Sequence, residues 1–96
     1  MNHRITSVRD LGLLIRATRK VQHVRMDDIS GASPVFVREV ERGKETAQIG
    51  RVLVLLRELG IHLYADVPDE ANETVEQLRK VGVKPLAPRR RPKPVP

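Results

Sequence analysis

The chain of 96 residues contains no cysteine and no tryptophan, and it has only one tyrosine and one phenylalanine. Without cysteine it cannot form disulfides or a thiolate metal site. With so few aromatic side chains, its core must be aliphatic. One small domain of this length has a core too limited for an ordinary enzyme cleft. The histidines His3, His23 and His62 share no spacing typical of a metal site. We therefore expect neither catalysis nor a metal or cofactor.

Long apolar runs are also lacking. The N-terminus has no apolar stretch of the length found in signal peptides, and no segment has enough consecutive apolar residues to span a bilayer. These features predict a cytoplasmic protein that does not enter a membrane.

Four segments with apolar residues at helical spacing occupy the part of the chain that we predict to be one domain, residues 7–60. The first extends from Ser7 to Gln22, and Ser7 and Asp10 at its start predict a capping box. The second covers 26–32 and the third 33–42. The fourth covers 48–59 and ends at Gly60, and its predicted core stripe is Ile49, Val52, Leu53, Leu56 and Leu59.

The third segment is the most informative. Gly31 is suited to a tight turn with positive φ, Ser33 to an N-cap, and Pro34 to a first helical position. Val37 and Val40 share an inward face, whereas Pro34, Val35 and Arg38 project from the opposite one, and Gly43 provides a left-handed C-cap. This pattern is typical of the second helix of a helix-turn-helix, which presents its outer row to a DNA groove.

Residues 61–67 alternate between apolar and polar side chains, as a half-buried strand does. Since no second strand is apparent in the chain, we expect the strand to pair with that of a second copy. This assigns dimerisation to Ile61, Leu63, Tyr64 and Ala65. The alternative is that residues 61–67 form a frayed loop.

Two further segments follow. Acids at the start and bases at the end of residues 69–82 predict a C-terminal helix with a thin apolar stripe. Residues 85–96 carry four basic residues, five prolines and no acid, which predicts a disordered basic tail. The tail could contact flanking DNA, contact a protein partner, serve as a degradation handle or only aid solubility.

A family resemblance covers Leu11 to Gly60. The matching residues are Leu-Gly-Leu-Leu-Ile-Arg-Ala-Thr-Arg-Lys at 11–20, Gly-Ala-Ser at 31–33 and Val-Glu-Arg-Gly at 40–43. In these residues the chain resembles the Xre/Cro family, an all-α class of five-helix, lambda-repressor-like helix-turn-helix domains. A domain followed directly by a short strand is similar to the HipB-type antitoxins, which dimerise through that strand and bind a HipA-type kinase toxin.

The resemblance implies roles for individual residues. Base reading would fall on Ser33, Pro34, Val35, Arg38 and Glu39. Arg38 could read guanine bidentately, or it could be an ordinary exposed arginine. Pro34 and Val35 could only touch thymine methyl groups or exclude other bases, so DNA shape would contribute to specificity.

Phosphate contacts would fall on Arg42 and Lys44, whose alternative is ordinary surface charge. Family members usually place Gln at the start of the second helix to bind a phosphate. Here Met26 occupies that place, so the contact would pass to Arg25. Arg19 and Glu41 match an ion pair that ties the first helix to the third.

These observations predict a sequence-specific repressor that binds a palindromic operator as a homodimer and associates with the nucleoid. The resemblance implies the antitoxin of a type II toxin–antitoxin operon, which represses its own operon and neutralises a HipA-like kinase toxin. One alternative is a stand-alone regulator of the Xre family. Another is a protein-interaction module that no longer binds DNA.

Overall fold

The computed structural model describes residues 1–82, and the predicted tail over 85–96 lies outside them. The described residues form α1 (Val8–Val21), α2 (Pro34–Glu41), α3 (Ile49–Glu58) and α4 (Asn72–Val81). Isolated 3-10 turns occupy Met26–Asp28 and Asp69–Ala71. No strand occurs in this part of the chain, so its regular structure is helical, as predicted. The domain over 7–60, for which the resemblance implied five helices, contains three α-helices and one 3-10 turn. None of the described helices is long and apolar enough to cross a bilayer.

The described residues divide into two compact units, one over residues 1–63 and one that begins at residue 64. The first contains α1, α2 and α3 around an aliphatic core. Its buried members are Ile15, Ile29, Val37, Val40, Val52, Leu55, Leu56 and Leu59. Phe36 packs against this cluster from the side. The sequence correctly predicted an aliphatic core.

Helix α1 begins where predicted, but its capping differs in one respect. The Ser7 hydroxyl accepts a hydrogen bond from the Asp10 amide at 3.1 Å. The Asp10 carboxylate accepts from the Thr6 amide at 3.0 Å and from the Thr6 hydroxyl at 2.7 Å. A capping box would instead pair it with the Ser7 amide. The hydrogen bonds from the side chain and backbone of Thr6 lower the pKa of Asp10.

The predicted second helix over 26–32 was wrong. Only one 3-10 turn forms, and Ile29 leaves it in an extended conformation with φ −86° and ψ 114°. Two aspartates, which are poor helix formers, occupy the turn. Pro34 then biases the residue before it towards extended backbone, so little chain remains for a helix. The first helix of the expected helix-turn-helix is therefore reduced to a single turn.

Helix α2 agrees with the prediction. The Ser33 hydroxyl accepts from the Phe36 amide at 3.1 Å, and Pro34 is the first helical residue. Gly43 adopts a φ of +84° just after the helix. Because glycine tolerates this conformation, the chain can turn away at once towards α3.

The predicted apolar stripe of α3 was only partly right. Val52, Leu56 and Leu59 are buried, but Ile49 is 70% exposed and Leu53 48% exposed. Leu55 is fully buried instead. The inward face is centred on residues 52, 55, 56 and 59, which leaves Leu53 at its edge and Ile49 in the first turn, outside the core.

Two glycines sit where elements approach closely. A Cβ on Gly12 would lie 2.5 Å from the carbonyl oxygen of Val40, so α1 and α2 touch at this point. A Cβ on Gly31 would lie 2.6 Å from Cγ1 of Val54. Gly31 does not have the positive φ that we predicted. Close packing against α3, not turn conformation, explains the need for glycine there.

Residues 61–67 form no strand within the chain, and pairing with a second copy stays a prediction. In the second unit the predicted C-terminal helix is present as a 3-10 turn followed by α4, which ends before Gly82 at φ +79°. No described residue of α4 is buried. Its apolar stripe is thin, as expected.

Candidate nucleic-acid interface

The outer face of α2 carries the residues for which we predicted base contacts. Val37 and Val40 point into the core, and this orientation turns Val35 and Arg38 outward. Val35 is 59% exposed. Pro34 is half-buried, and the hydroxyl of Ser33 is engaged by the Phe36 amide. The exposed part of the predicted row is therefore apolar at Val35, cationic at Arg38 and acidic at Glu39.

Arg38 has no hydrogen bond or ion pair from its side chain among residues 1–82. It lies on the exposed side of the last turn of α2. A guanidinium in this state keeps all its donors for a ligand, and its planar fork matches the two acceptors of guanine in the major groove.

Glu39, unlike Arg38, has an ion-pair partner. Its Oε2 accepts a hydrogen bond from Nζ of Lys44 at 2.9 Å, and the two side chains remain 42% and 46% exposed. We predicted base reading for Glu39 and phosphate binding for Lys44, and we did not predict this pair. Residues five apart do not meet on a straight helix, and only the turn at Gly43 brings these two together.

The predicted phosphate contacts fall into two groups. Arg42 and Lys44 are exposed just after α2, and both of their backbone amides are held by hydrogen bonds to α2 carbonyls. Arg25 is exposed beside the 3-10 turn, where its guanidinium lies 3.7 Å from Asp27. The Arg25 amide also donates to the Asp28 carboxylate at 3.3 Å. The surface beside Arg25 therefore carries more acidic than basic side chains, whereas the surface beside Arg42 and Lys44 does not.

The predicted ion pair between Arg19 and Glu41 is present. Nε of Arg19 donates to Oε2 of Glu41 at 2.7 Å, and the second arm donates to Oε1 at 3.1 Å. A third donor of Arg19 reaches the carbonyl oxygen of Val24 at 3.2 Å. The hydrogen bonds to Glu41 raise the pKa of Arg19 above its usual value. Since the two side chains are 14% and 4% exposed, this pair is part of the structure and fixes α2 on α1.

Two further contacts tie segments outside α2 to the end of α3, and neither could be predicted from the sequence. The Gln22 side chain donates to the carbonyl oxygen of Leu59 at 2.9 Å, which ties the end of α1 to the end of α3. The hydroxyl of Ser30 donates to the Glu58 carboxylate at 3.1 Å. Both join segments far apart in the chain, so local patterns cannot reveal them.

The residues predicted for dimerisation are distributed unevenly. Ile61 is half-buried against the core, and its amide donates to the carbonyl oxygen of Leu56 at 2.9 Å. Leu63 is 45% exposed and Tyr64 83% exposed, and Ala65 is also exposed. Within one chain, Ile61 therefore belongs to the domain, and the next three residues present their side chains to solvent.

Comparison with known proteins gives one informative match. The chain is 41% identical over 73 residues to an uncharacterised HTH-type transcriptional regulator, y4mF, of Sinorhizobium fredii, and the match covers 73% of this chain and 96% of that protein. No protein-family model matches the chain. No solved structure matches it either. A helix α2 with an N-cap and an outward face is what a helix-turn-helix protein requires. Because the identity is high and extends over nearly the whole relative, the chain belongs to the family of HTH-type transcriptional regulators.

Proposed function

We propose that the protein is a sequence-specific repressor that binds palindromic operator DNA as a homodimer and reads bases with α2. The observation that carries this proposal is Arg38, an arginine without a partner among the described residues, on the exposed face of a helix that is fixed by the Arg19–Glu41 pair. Rigid placement of the helix that carries the reading side chain limits the entropy lost on binding.

Base reading would be shared between hydrogen bonding and shape. Arg38 would donate to O6 and N7 of a guanine, and Val35 would touch the methyl group of a thymine. Few other polar side chains face outward from α2. Part of the specificity would therefore come from the sequence-dependent shape and deformability of the duplex.

Phosphate binding would be concentrated at the end of α2. Arg42 and Lys44 lie there, and among residues 1–82 only the Glu39 carboxylate forms an ion pair with either of them. Arg25, by contrast, lies beside two carboxylates, Asp27 and Asp28. Carboxylates beside the phosphate backbone are repelled by it. We therefore assign the main backbone contact to Arg42 and Lys44, and a smaller one to Arg25.

Dimer formation would use the exposed part of residues 61–67. Leu63, Tyr64 and Ala65 would pair with the same segment of a second copy, because an isolated strand leaves its backbone groups without partners. Two copies would then present their α2 helices to major-groove faces about 34 Å apart, which requires a palindromic site.

Within this role we propose that the protein is the antitoxin of a toxin–antitoxin operon and binds a HipA-like kinase. The support is architectural: a helix-turn-helix domain is followed at once by a short segment with strand-like alternation. A neighbouring reading frame that encodes a kinase, and co-purification of its product, would support this role. A stand-alone regulator would lack both.

The test of DNA reading uses a duplex enriched from a randomised library by the wild-type chain, together with its shuffled counterpart. Replacing Arg38 with alanine should weaken binding to the enriched duplex by about 1–3 kcal/mol and remove selectivity at one base pair. Arg51, an exposed arginine of α3, provides the control Arg51→Ala. An equal loss of affinity for both duplexes would show that Arg38 contacts phosphate and not bases. Failure of the wild type to enrich any duplex would favour a protein-interaction module.

A further inference from the structure

We propose that Glu39 and Lys44 form a coupled pair that sets sequence selectivity, in which Glu39 withholds Lys44 from phosphate until a cytosine amino group engages the Glu39 carboxylate. This inference rests on the proposed function, because it concerns the same DNA-binding surface. It gives Glu39 a role that neither base reading nor phosphate binding alone describes.

The geometry of the pair is built into the end of α2. Besides the side-chain contact of 2.9 Å, the amide of Lys44 donates to the carbonyl oxygen of Glu39 at 3.1 Å. The turn at Gly43, with φ +84°, makes both contacts possible. Each side chain is nearly half exposed, so a ligand can reach either of them.

Electrostatics opposes the transfer of Lys44 from Glu39 to a phosphate. A carboxylate that faces the phosphate backbone is repelled less when a cation lies beside it, and Lys44 supplies that cation here. When the ammonium group moves to a phosphate, it leaves Glu39 uncompensated in the strongly negative potential of DNA. Lys44 therefore contributes a phosphate contact more favourably where Glu39 gains another hydrogen-bond donor, which offsets part of this cost.

Cytosine offers such a donor in the major groove, where its N4 amino group pairs with carboxylates. On the outer face of α2, Glu39 follows Val35 by one helical turn, which places it beside the reading row. A site with cytosine at this position would release Lys44 to the backbone. Other sites would leave the pair closed and lose one phosphate contact. Since an exposed ion pair is itself weak, Lys44 is withheld mainly by the repulsion between DNA and an uncompensated Glu39, not by the strength of the pair.

The experiment compares Glu39→Gln with the wild type in the full chain, on the enriched duplex and on shuffled duplexes over a range of salt concentrations. The variant should bind shuffled duplexes several-fold more tightly, with a salt slope steeper by about 0.9 because Lys44 gains a phosphate. Its affinity for the enriched duplex should not rise. Library selection with the variant should lose a cytosine preference at one position.

Two matched variants separate coupling from simple charge. Glu45→Gln changes the net charge by the same amount as Glu39→Gln. It removes a neighbouring exposed carboxylate that has no ion pair among residues 1–82. It should alter the affinities of both duplexes by one factor and leave base preferences intact. In the double variant Glu39→Gln, Lys44→Met the steeper slope on shuffled duplexes should disappear. Circular dichroism melting checks that each variant is folded.

A rise by the same factor on both duplexes for Glu39→Gln, as for Glu45→Gln, would overturn the coupling. An unchanged cytosine preference would do so too. Absence of any selective binding by the wild type would instead overturn the proposed function, so the two failures are distinguishable.

Discussion

At the residue scale, Gly12 determines how closely α1 can approach the end of α2. The nearest atoms to an added Cβ are backbone carbonyl atoms of Val40 and Glu41, which cannot move aside as a flexible side chain could. Glu41 is also the acceptor for Arg19. A larger residue at position 12 would therefore disturb both the helix contact and the ion pair beside it.

We expect Gly12→Ala to lower the free energy of unfolding by about 1–3 kcal/mol, the usual cost of overpacking. The matched control is Gly50→Ala, since a Cβ on Gly50 meets nothing within 4 Å and Gly50 is also helical. There the better helix propensity of alanine should raise the free energy of unfolding by about 0.5–1 kcal/mol. Urea unfolding measures both changes. Equal shifts in the same direction would contradict the close contact at Gly12.

Single residues could be predicted in two cases: where a residue caps or ends its own helix, and where two residues match an ion pair of the family that the chain resembles. Ser33, Gly43 and the Arg19–Glu41 pair belong to these classes. Gly31 was placed correctly in a turn but for the wrong reason, because its neighbour Val54 is 23 positions away in the chain. Local sequence contains no information about such a contact.

At the scale of single elements, the start of α1 is sensitive to acid. Because the Thr6 hydrogen bonds lower the folded-state pKa of Asp10, its carboxylate stabilises the fold above the unfolded pKa. This stabilisation is lost as the pH falls through the lowered folded pKa. The negative charge also interacts favourably with the N-terminal end of the helix dipole.

We therefore expect Asp10→Asn to flatten the decline in melting temperature between about pH 5 and about pH 2, the range in which such carboxylates lose their contribution. Thr6→Ala, which removes the hydroxyl donor but keeps the carboxylate, should shift the decline towards higher pH. Thermal melts followed by far-ultraviolet circular dichroism give both curves. An Asp10→Asn curve parallel to the wild type would show that other acids control the acid response.

The elements themselves were predictable to different degrees. Helices α1, α2 and α3 follow from apolar periodicity and caps, and each of their ends differs from prediction by one residue. The prediction of a helix over 26–32 was wrong because its single strong core residue, Ile29, can be buried from an extended segment as well as from a helix. The prediction that Ile49 and Leu53 belong to the core stripe of α3 was wrong because periodicity indicates only which face is apolar. Packing against the rest of the domain determines how far the core extends along that face.

At the scale of the whole molecule, the predicted dimer can be tested without removing part of the domain. Deleting residues 61–67 would also remove the packing of Ile61 on the core. We therefore use Leu63→Asp, Tyr64→Asp, which should yield monomers because two charges cannot be buried unpaired in an interface. Operator affinity should then fall steeply, since one half-site supplies only part of the contact.

Light scattering measures the mass, and Thr74→Asp, Gln77→Asp adds the same charge at two exposed positions of α4 as a control. A control protein that remains dimeric beside a monomeric test variant would support the predicted interface. A dimer that survives in the test variant would move the interface elsewhere, with the exposed Ile49 and Leu53 of α3 as the next surface to examine.

Helix α2, for which we propose base reading, is only eight residues long. A helix of that length does not persist alone in water, since isolated helices shorter than about 12–15 residues are marginal. Helix α2 keeps its shape because Val37 and Val40 are buried and Glu41 is held by Arg19. In the proposed role, DNA occupancy and the folding equilibrium are therefore thermodynamically linked: warming that unfolds the domain would abolish the proposed reading surface with it, and bound DNA would in turn raise the melting temperature.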